Sequence, residues 1–157
     1  MRLWHKFLIP ALPREQLVSQ WRELSSIAGN IKTKGTPNHI LVNPIMEYPL
    51  SHFITYTAAV RAEMTRRGYR TMDKVWDKIC SVCPDYEILP IDEIYKGWMD
   101  KDYMNICYYN LFEKFLRGGI NEKDWSNIKS AYAVYLTNDF INRQEFKELF
   151  EEEYKNE

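Results

Sequence analysis

Arg22 and Glu23 stand side by side in the pentapeptide QWREL, residues 20–24, between the apolar residues Trp21 and Leu24. A carboxylate beside a guanidinium at the edge of an apolar stripe can move protons, stabilise a developing positive charge, or serve only solubility. Three other clusters carry chemical groups. Cys80 and Cys83 form a Cys-x-x-Cys pair. A zinc site needs four ligands and no second pair follows at a suitable spacing, and the βαβ context of a thioredoxin-type site is missing. Two ordinary thiols at a helix end, with Cys80 packing inward, are therefore expected. His5, His39 and His52 form no His-x-x-x-His pair and no Ser/His/Asp order. His39 and His52 flank a short middle segment, from which they can contact phosphate or be merely structural. Arg66, Arg67 and Arg70 in RRGYR end a helix, where cations complement the macrodipole and can equally meet phosphate in a salt-sensitive way. No P-loop, glycine-rich dinucleotide turn or EF-hand loop occurs, and neither a metal nor a cofactor is expected.

The elements that must position these groups read as helices separated by Gly, Pro and Asn. PREQLVSQWRELSSIAGN places Leu17, Trp21, Leu24 and Ala28 on one stripe, with Pro13 at the start and Gly29 as the expected stop. The segment from Lys32 to Pro49 is punctuated by Gly35, Pro37 and Pro44 and has room for a short helix around His39–Asn43. The next helix carries Phe53, Thr57, Val60 and Met64 and ends at Gly68. A further apolar stripe runs through Met72, Val75, Trp76, Ile79 and Val82. Residues 84–99 form a Pro-bounded connection with at most one helical turn. A helix from about Asp100 ends at Gly118-Gly119, and Asn121 with Asp124 starts another through Trp125, Ile128, Tyr132 and Tyr135. A last amphipathic segment runs through Phe146, Leu149 and Phe150 to a solvated EEEYKNE tail. No alternating strand pattern, repeat or low-complexity tract is present. The expected class is all-α, six or seven helices in a single compact domain over residues 1–157, with a C-terminal helical extension over about 95–157.

Composition agrees with this picture. A chain of 157 residues can bury a core without metal or disulfide staples. Its 5 Trp, 11 Tyr and 7 Phe are mostly core material, because large rings supply much of the burial energy. The opening MRLWHKFLIPALPREQ is broken by Pro10 and Pro13 and lacks a signal peptide's long apolar run, and no stretch is apolar enough for a membrane span. Three cysteines, an odd number, argue for free thiols in a reducing compartment, so a cytoplasmic protein away from membranes is expected. Residues 1–70 hold ten lysines and arginines against four acidic residues, and residues 71–157 hold 11 against 18. This is either a polarised surface whose basic side meets a polyanion or a chance gradient on a nearly neutral protein.

Three stretches of the basic half, MRLWHK, LVSQWRELSSIAG and HFITYTAAVRAEMTRRGY, taken in order, resemble the pyrimidine-dimer DNA glycosylase/AP lyase family of the phage endonuclease V type. The likeness covers about the first 70 residues. CYYNLFEKFLRGGINEKDW is similar to the C-terminal region of longer bacterial relatives. The resemblance implies an all-α fold that wraps its N-terminus between helices. It also implies enzymes that act on damaged double-stranded DNA as monomers, cleaving the glycosidic bond of a cyclobutane pyrimidine dimer and then nicking the strand.

In that family the nucleophile is the α-amino group of the first mature residue. An α-amino group has a reference pKa near 7.7–8.0, so a useful fraction is neutral near pH 7, whereas lysine at about 10.4 needs strong perturbation. By resemblance Met1 supplies the amine and Glu23 the neighbouring carboxylate, while Arg2 and Arg22 hold phosphates around the lesion. Two positions depart from the pattern. The prototype begins Met-Thr-Arg and loses its initiator. Here Arg2 is second, which should leave Met1 in place one bond before the arginine. A further family arginine three residues after the catalytic Glu is Ser26, a loss that Lys32 or Lys34 would have to make good. His39, Arg66 and Arg67 complete the expected DNA-contacting set, and Tyr48, Tyr56 and Trp4 are the aromatics considered for filling the gap left by an extruded base. The alternative reading is a non-catalytic DNA-binding protein on the same scaffold.

Overall fold

A computed structural model of the chain describes residues 1–142 and 148–149. Among them every regular element is a helix. Five α-helices follow in order: α1 Arg14–Lys34, α2 Leu50–Arg66, α3 Asp73–Cys80, α4 Lys101–Leu116 and α5 Glu122–Ile141. Short 3-10 segments cover Lys6–Ala11, Asn43–Glu47 and Ile91–Glu93. The expected all-α class is the observed one. The amphipathic segment through Phe146 and Phe150 and the acidic tail lie outside the described residues.

α1 packs against α2 and α3, and α5 packs on α4 and on the Lys6–Ala11 segment. The α1 stripe of Leu17, Trp21, Leu24 and Ala28 is buried, as are Phe53, Thr57, Val60 and Met64 on α2. α1 does not stop at Gly29. It runs five residues further and ends at Gly35, which takes φ +72° and donates its N–H to Ile31 O at 3.0 Å. A glycine in a helix interior costs up to about 1 kcal/mol relative to alanine, and burial of Ala28 and Ile31 on either side of Gly29 outweighs that. The short helix expected at His39–Asn43 is instead a tight turn that leads into the 3-10 segment, with Pro44 setting its start. Met72 is not on an apolar stripe. It is the exposed residue before α3, and the buried contact of that helix is Ile79.

Gly68 ends the α2 region with φ +81°, and Asn121 caps α5 by accepting from Asp124 N at 2.8 Å, both as expected. Trp125 and Ile128 are buried on α5, while Tyr132 and Tyr135 are half-buried against α4 and His5. Residues 1–5 run without helix into the space between α1, α2 and α4. Leu3, Trp4 and His5 are buried there. No described helix is long and apolar enough to cross a membrane.

Candidate functional site

The N-terminal segment carries main-chain polar groups into the core, where each needs a partner. Side chains from three helices supply them. Gln20, only 1% exposed, is the hub. Its Oε1 accepts from Trp4 N at 2.8 Å, which sets the orientation of the amide because an N–H can bond only to the oxygen side. Its Nε2 then donates to Arg2 O at 3.0 Å and to Glu23 Oε2 at 3.3 Å. The single hydroxyl proton of Tyr56, on α2, lies between Trp4 O at 2.6 Å and Gln20 Oε1 at 2.8 Å. The Tyr103 hydroxyl, on α4, donates to Leu3 O. Arg2, Leu3 and Trp4 are thus gripped through their backbone by α1, α2 and α4.

This grip brings the start of the chain near Glu23. Gln20 and Glu23 are one turn apart on the same side of α1, and one amide links the carboxylate to the second residue of the chain. The Glu23 carboxyl is pushed above its usual range by partial burial. The positive charge of the Met1 ammonium and that of His39 oppose the rise. Terminal amine, carboxylate and imidazole therefore share one electrostatic neighbourhood. The Arg2 guanidinium lies against the Tyr103 hydroxyl and the Cys107 thiol, whose proton affinities are raised first by burial and lowered in part by that cation.

The other candidates divide. Arg22 is exposed beside Glu23 and lines a shallow concavity with Arg14, Val18 and Ser19. Lys32 and Lys34 are exposed at the far end of α1, about 14–17 Å along its axis from Glu23, and Lys32 Nζ donates to Ser81 Oγ at 2.9 Å. Arg66 and Arg67 lie ten and eleven residues beyond Tyr56, about 15 Å along α2, and both are committed to Glu63. Arg67 also donates to Leu12 O at 2.7 Å and Pro10 O at 3.1 Å. Burial works to raise the Glu63 carboxyl, but its bonds to both arginines outweigh that and hold it low. Arg67 thus ties α2 to the first turn of the fold, Arg66 pairs within α2, and neither joins the Glu23 cluster.

Trp4 and Tyr56, considered as fillers of a DNA gap, are core residues, and the half-buried Tyr48 spends its hydroxyl on Lys96 O at 2.8 Å. His52 is half-buried, its Nδ1 accepting from Tyr95 N at 3.0 Å. Cys80 and Cys83 are free, half-buried thiols, and burial is the main cause that raises both above the ordinary thiol range. No group of three or more His, Cys, Asp or Glu among the described residues could hold a metal. Sequence reasoning missed Gln20, Tyr56 as a polar anchor, and Tyr103. Gln20 opens the QWREL pentapeptide, and its three-residue spacing from Glu23 was the available signal.

Fold and site together define an all-α protein whose N-terminal segment is held through its backbone by side chains of three helices, with a half-buried carboxylate on one of them within reach of the terminal charge. Residues 1–77 match the family model described as pyrimidine dimer DNA glycosylase. Comparisons with curated proteins and with solved structures yield no match.

Proposed function

We propose that the protein is a DNA glycosylase with AP-lyase activity that acts on pyrimidine dimers or a related lesion in double-stranded DNA, with Met1 as nucleophile and Glu23 as its partner. The observation that supports this reading is the Gln20 amide, which bonds Arg2 O and the Glu23 carboxylate at once and so ties the backbone next to the terminal residue to the acid-bearing helix.

The chemistry follows from those two groups. The neutral α-amine attacks the sugar C1′, the N-glycosidic bond breaks, and the departing base takes a proton. Opening of the sugar ring leaves an iminium joining C1′ to the Met1 nitrogen, which is covalent catalysis of the Schiff-base type. The Glu23 carboxylate stabilises the positive charge that develops on the sugar. The iminium acidifies the C2′ proton, which passes to Glu23. Electrons from that C–H bond expel the 3′ phosphate, and water then hydrolyses the imine and frees the amine. The elevated proton affinity of Glu23 suits a group that must both carry charge and accept a proton. Arg22 is proposed as a phosphate contact on the exposed side of α1, with His39, Lys32 and Lys34 extending the cationic face. Arg2 keeps positive charge next to the amine.

Borohydride should trap a covalent adduct with a duplex that contains an abasic site or a dimer, and mass analysis should place the link on the Met1 nitrogen. The second reading, DNA binding without catalysis, draws on Ser26, an exposed serine where the resemblance expects an arginine. It predicts salt-dependent duplex binding with no nicking of ultraviolet-irradiated plasmid.

A further inference from the structure

The turn Thr36–Asn43 is short and heavily braced. Asn43 Oδ1 accepts from His39 N at 3.1 Å and from Thr36 Oγ1 at 3.3 Å, and Thr36 Oγ1 accepts from Asn38 N at 3.2 Å. Val42 N and Asn43 N both return to His39 O, at 3.0 and 2.8 Å, and His39 Nδ1 accepts from Leu41 N at 3.2 Å. Pro37, Val42 and Ile45 are buried beneath it. Its crest is apolar. Ile40 is 82% exposed, the highest value for a large apolar side chain among the described residues, with Leu41 and Met46 exposed beside it. Solvent gives no reason to hold a β-branched apolar side chain on so rigid a mount.

The mount is fastened to the helix that carries the acid. Asn30 Nδ2 donates to Pro37 O at 3.1 Å. Asn30 is seven residues from Glu23, two turns along the same face of α1 and about 10 Å away. His39, next to Ile40 in the chain, is near enough for its charge to act on Glu23.

We propose that Ile40, backed by Leu41, is the wedge that enters the base stack of duplex DNA beside the lesion and holds the space left by an extruded nucleotide. The inference rests on the glycosylase reading and supplies what that reading lacks, since Trp4 and Tyr56 are buried in the core and the half-buried Tyr48 is bonded to Lys96 O. Reaching C1′ within a stacked duplex requires nucleotides to be displaced, and proteins that do so insert stiff apolar side chains between base steps. A crest that projects from the acid-bearing face, with exposed Arg22 and Lys34 on the same helix to meet the backbone, has that form.

Single-turnover borohydride trapping should be compared on an abasic duplex and on the same abasic strand alone, with 2-aminopurine opposite the lesion reporting unstacking in the duplex. Ile40→Ala should lower the ratio of duplex to single-strand trapping by roughly tenfold and remove most of the fluorescence rise. Ile40→Leu should restore both, and Ile88→Ala, an exposed apolar truncation in the 84–99 connection, should change neither. Loss of an adduct by the wild-type protein on both substrates overturns the glycosylase reading. A wild-type adduct with an unchanged ratio and unchanged fluorescence in Ile40→Ala overturns the wedge alone.

Discussion

Taking away the Gln20 amide would leave the buried Trp4 N–H without its acceptor and the Arg2 carbonyl without its donor, while the Tyr56 hydroxyl keeps Trp4 O. Each orphaned buried group costs on the order of 1–3 kcal/mol. Gln20→Leu should therefore lower unfolding free energy by about 2–4 kcal/mol in urea titrations, and the surviving folded fraction should trap DNA slowly because the terminus is no longer held. Glu23→Gln differs. Burial already disfavours the Glu23 charge, so stability should change little, while trapping should fall by about 10²–10⁴-fold as the charge and the proton acceptor disappear. On the glycosylase reading the acidic limb of the rate profile belongs to Glu23 and should lie above the reference carboxylate value of about 4.3. Glu23 was singled out in the sequence by its place in QWREL. Gln20, three residues before it, was not, because its partners Arg2, Trp4 and Tyr56 lie 16 to 36 residues away and only folding shows them.

Helix identity was largely readable from apolar spacing, while helix ends depended on tertiary burial. Gly29 has the sequence signature of a stop, yet α1 continues because Ile31 reaches the core, and Gly35 takes the left-handed conformation instead. The two glycines should respond in opposite directions. Gly35→Ala forces a Cβ into φ +72° and should destabilise by about 1 kcal/mol. Gly29→Ala should be neutral or stabilise by up to about 1 kcal/mol, since its Cβ would meet only the Lys78 side chain at ordinary contact distance, 3.4 Å from Nζ. Paired thermal melts check both. The braced turn after α1 was misread as helix because residues 39–42 include apolar residues without breakers. Asn43 decides the geometry by spending its carbonyl oxygen on His39 N and Thr36.

Across the molecule, His5 joins the first segment to α4 and α5. It is fully buried, with Nε2 at 2.9 Å from Met99 O, Nδ1 accepting from Phe7 N, and Tyr135 of α5 edge-on at 4.9 Å between ring centroids. Because Nδ1 accepts, the proton is on Nε2 and the ring is neutral. Burial lowers its pKa to about 4, against weaker help from the Met99 carbonyl. The unfolded chain binds the proton near pH 6.5 and the folded one only near pH 4. The His5 contribution is thus complete above about pH 6.5 and is lost as pH falls toward 4, amounting to about 3 kcal/mol. Denaturant midpoints measured from pH 7.5 to 4 should fall across that window, and His5→Gln should flatten the fall. Composition hinted at polarity between the halves but not at this coupling, in which α4 and α5, beyond the matched residues 1–77, brace the terminus that the family-like half presents.

The central claim, that the Met1 amine does the chemistry beside Glu23, is tested most directly by borohydride trapping on an abasic duplex with and without a blocked N-terminus. A single adduct on the Met1 nitrogen that vanishes when the amine is acetylated is the predicted result. An adduct of equal yield with the acetylated protein, mapped to a lysine such as Lys6, would contradict it.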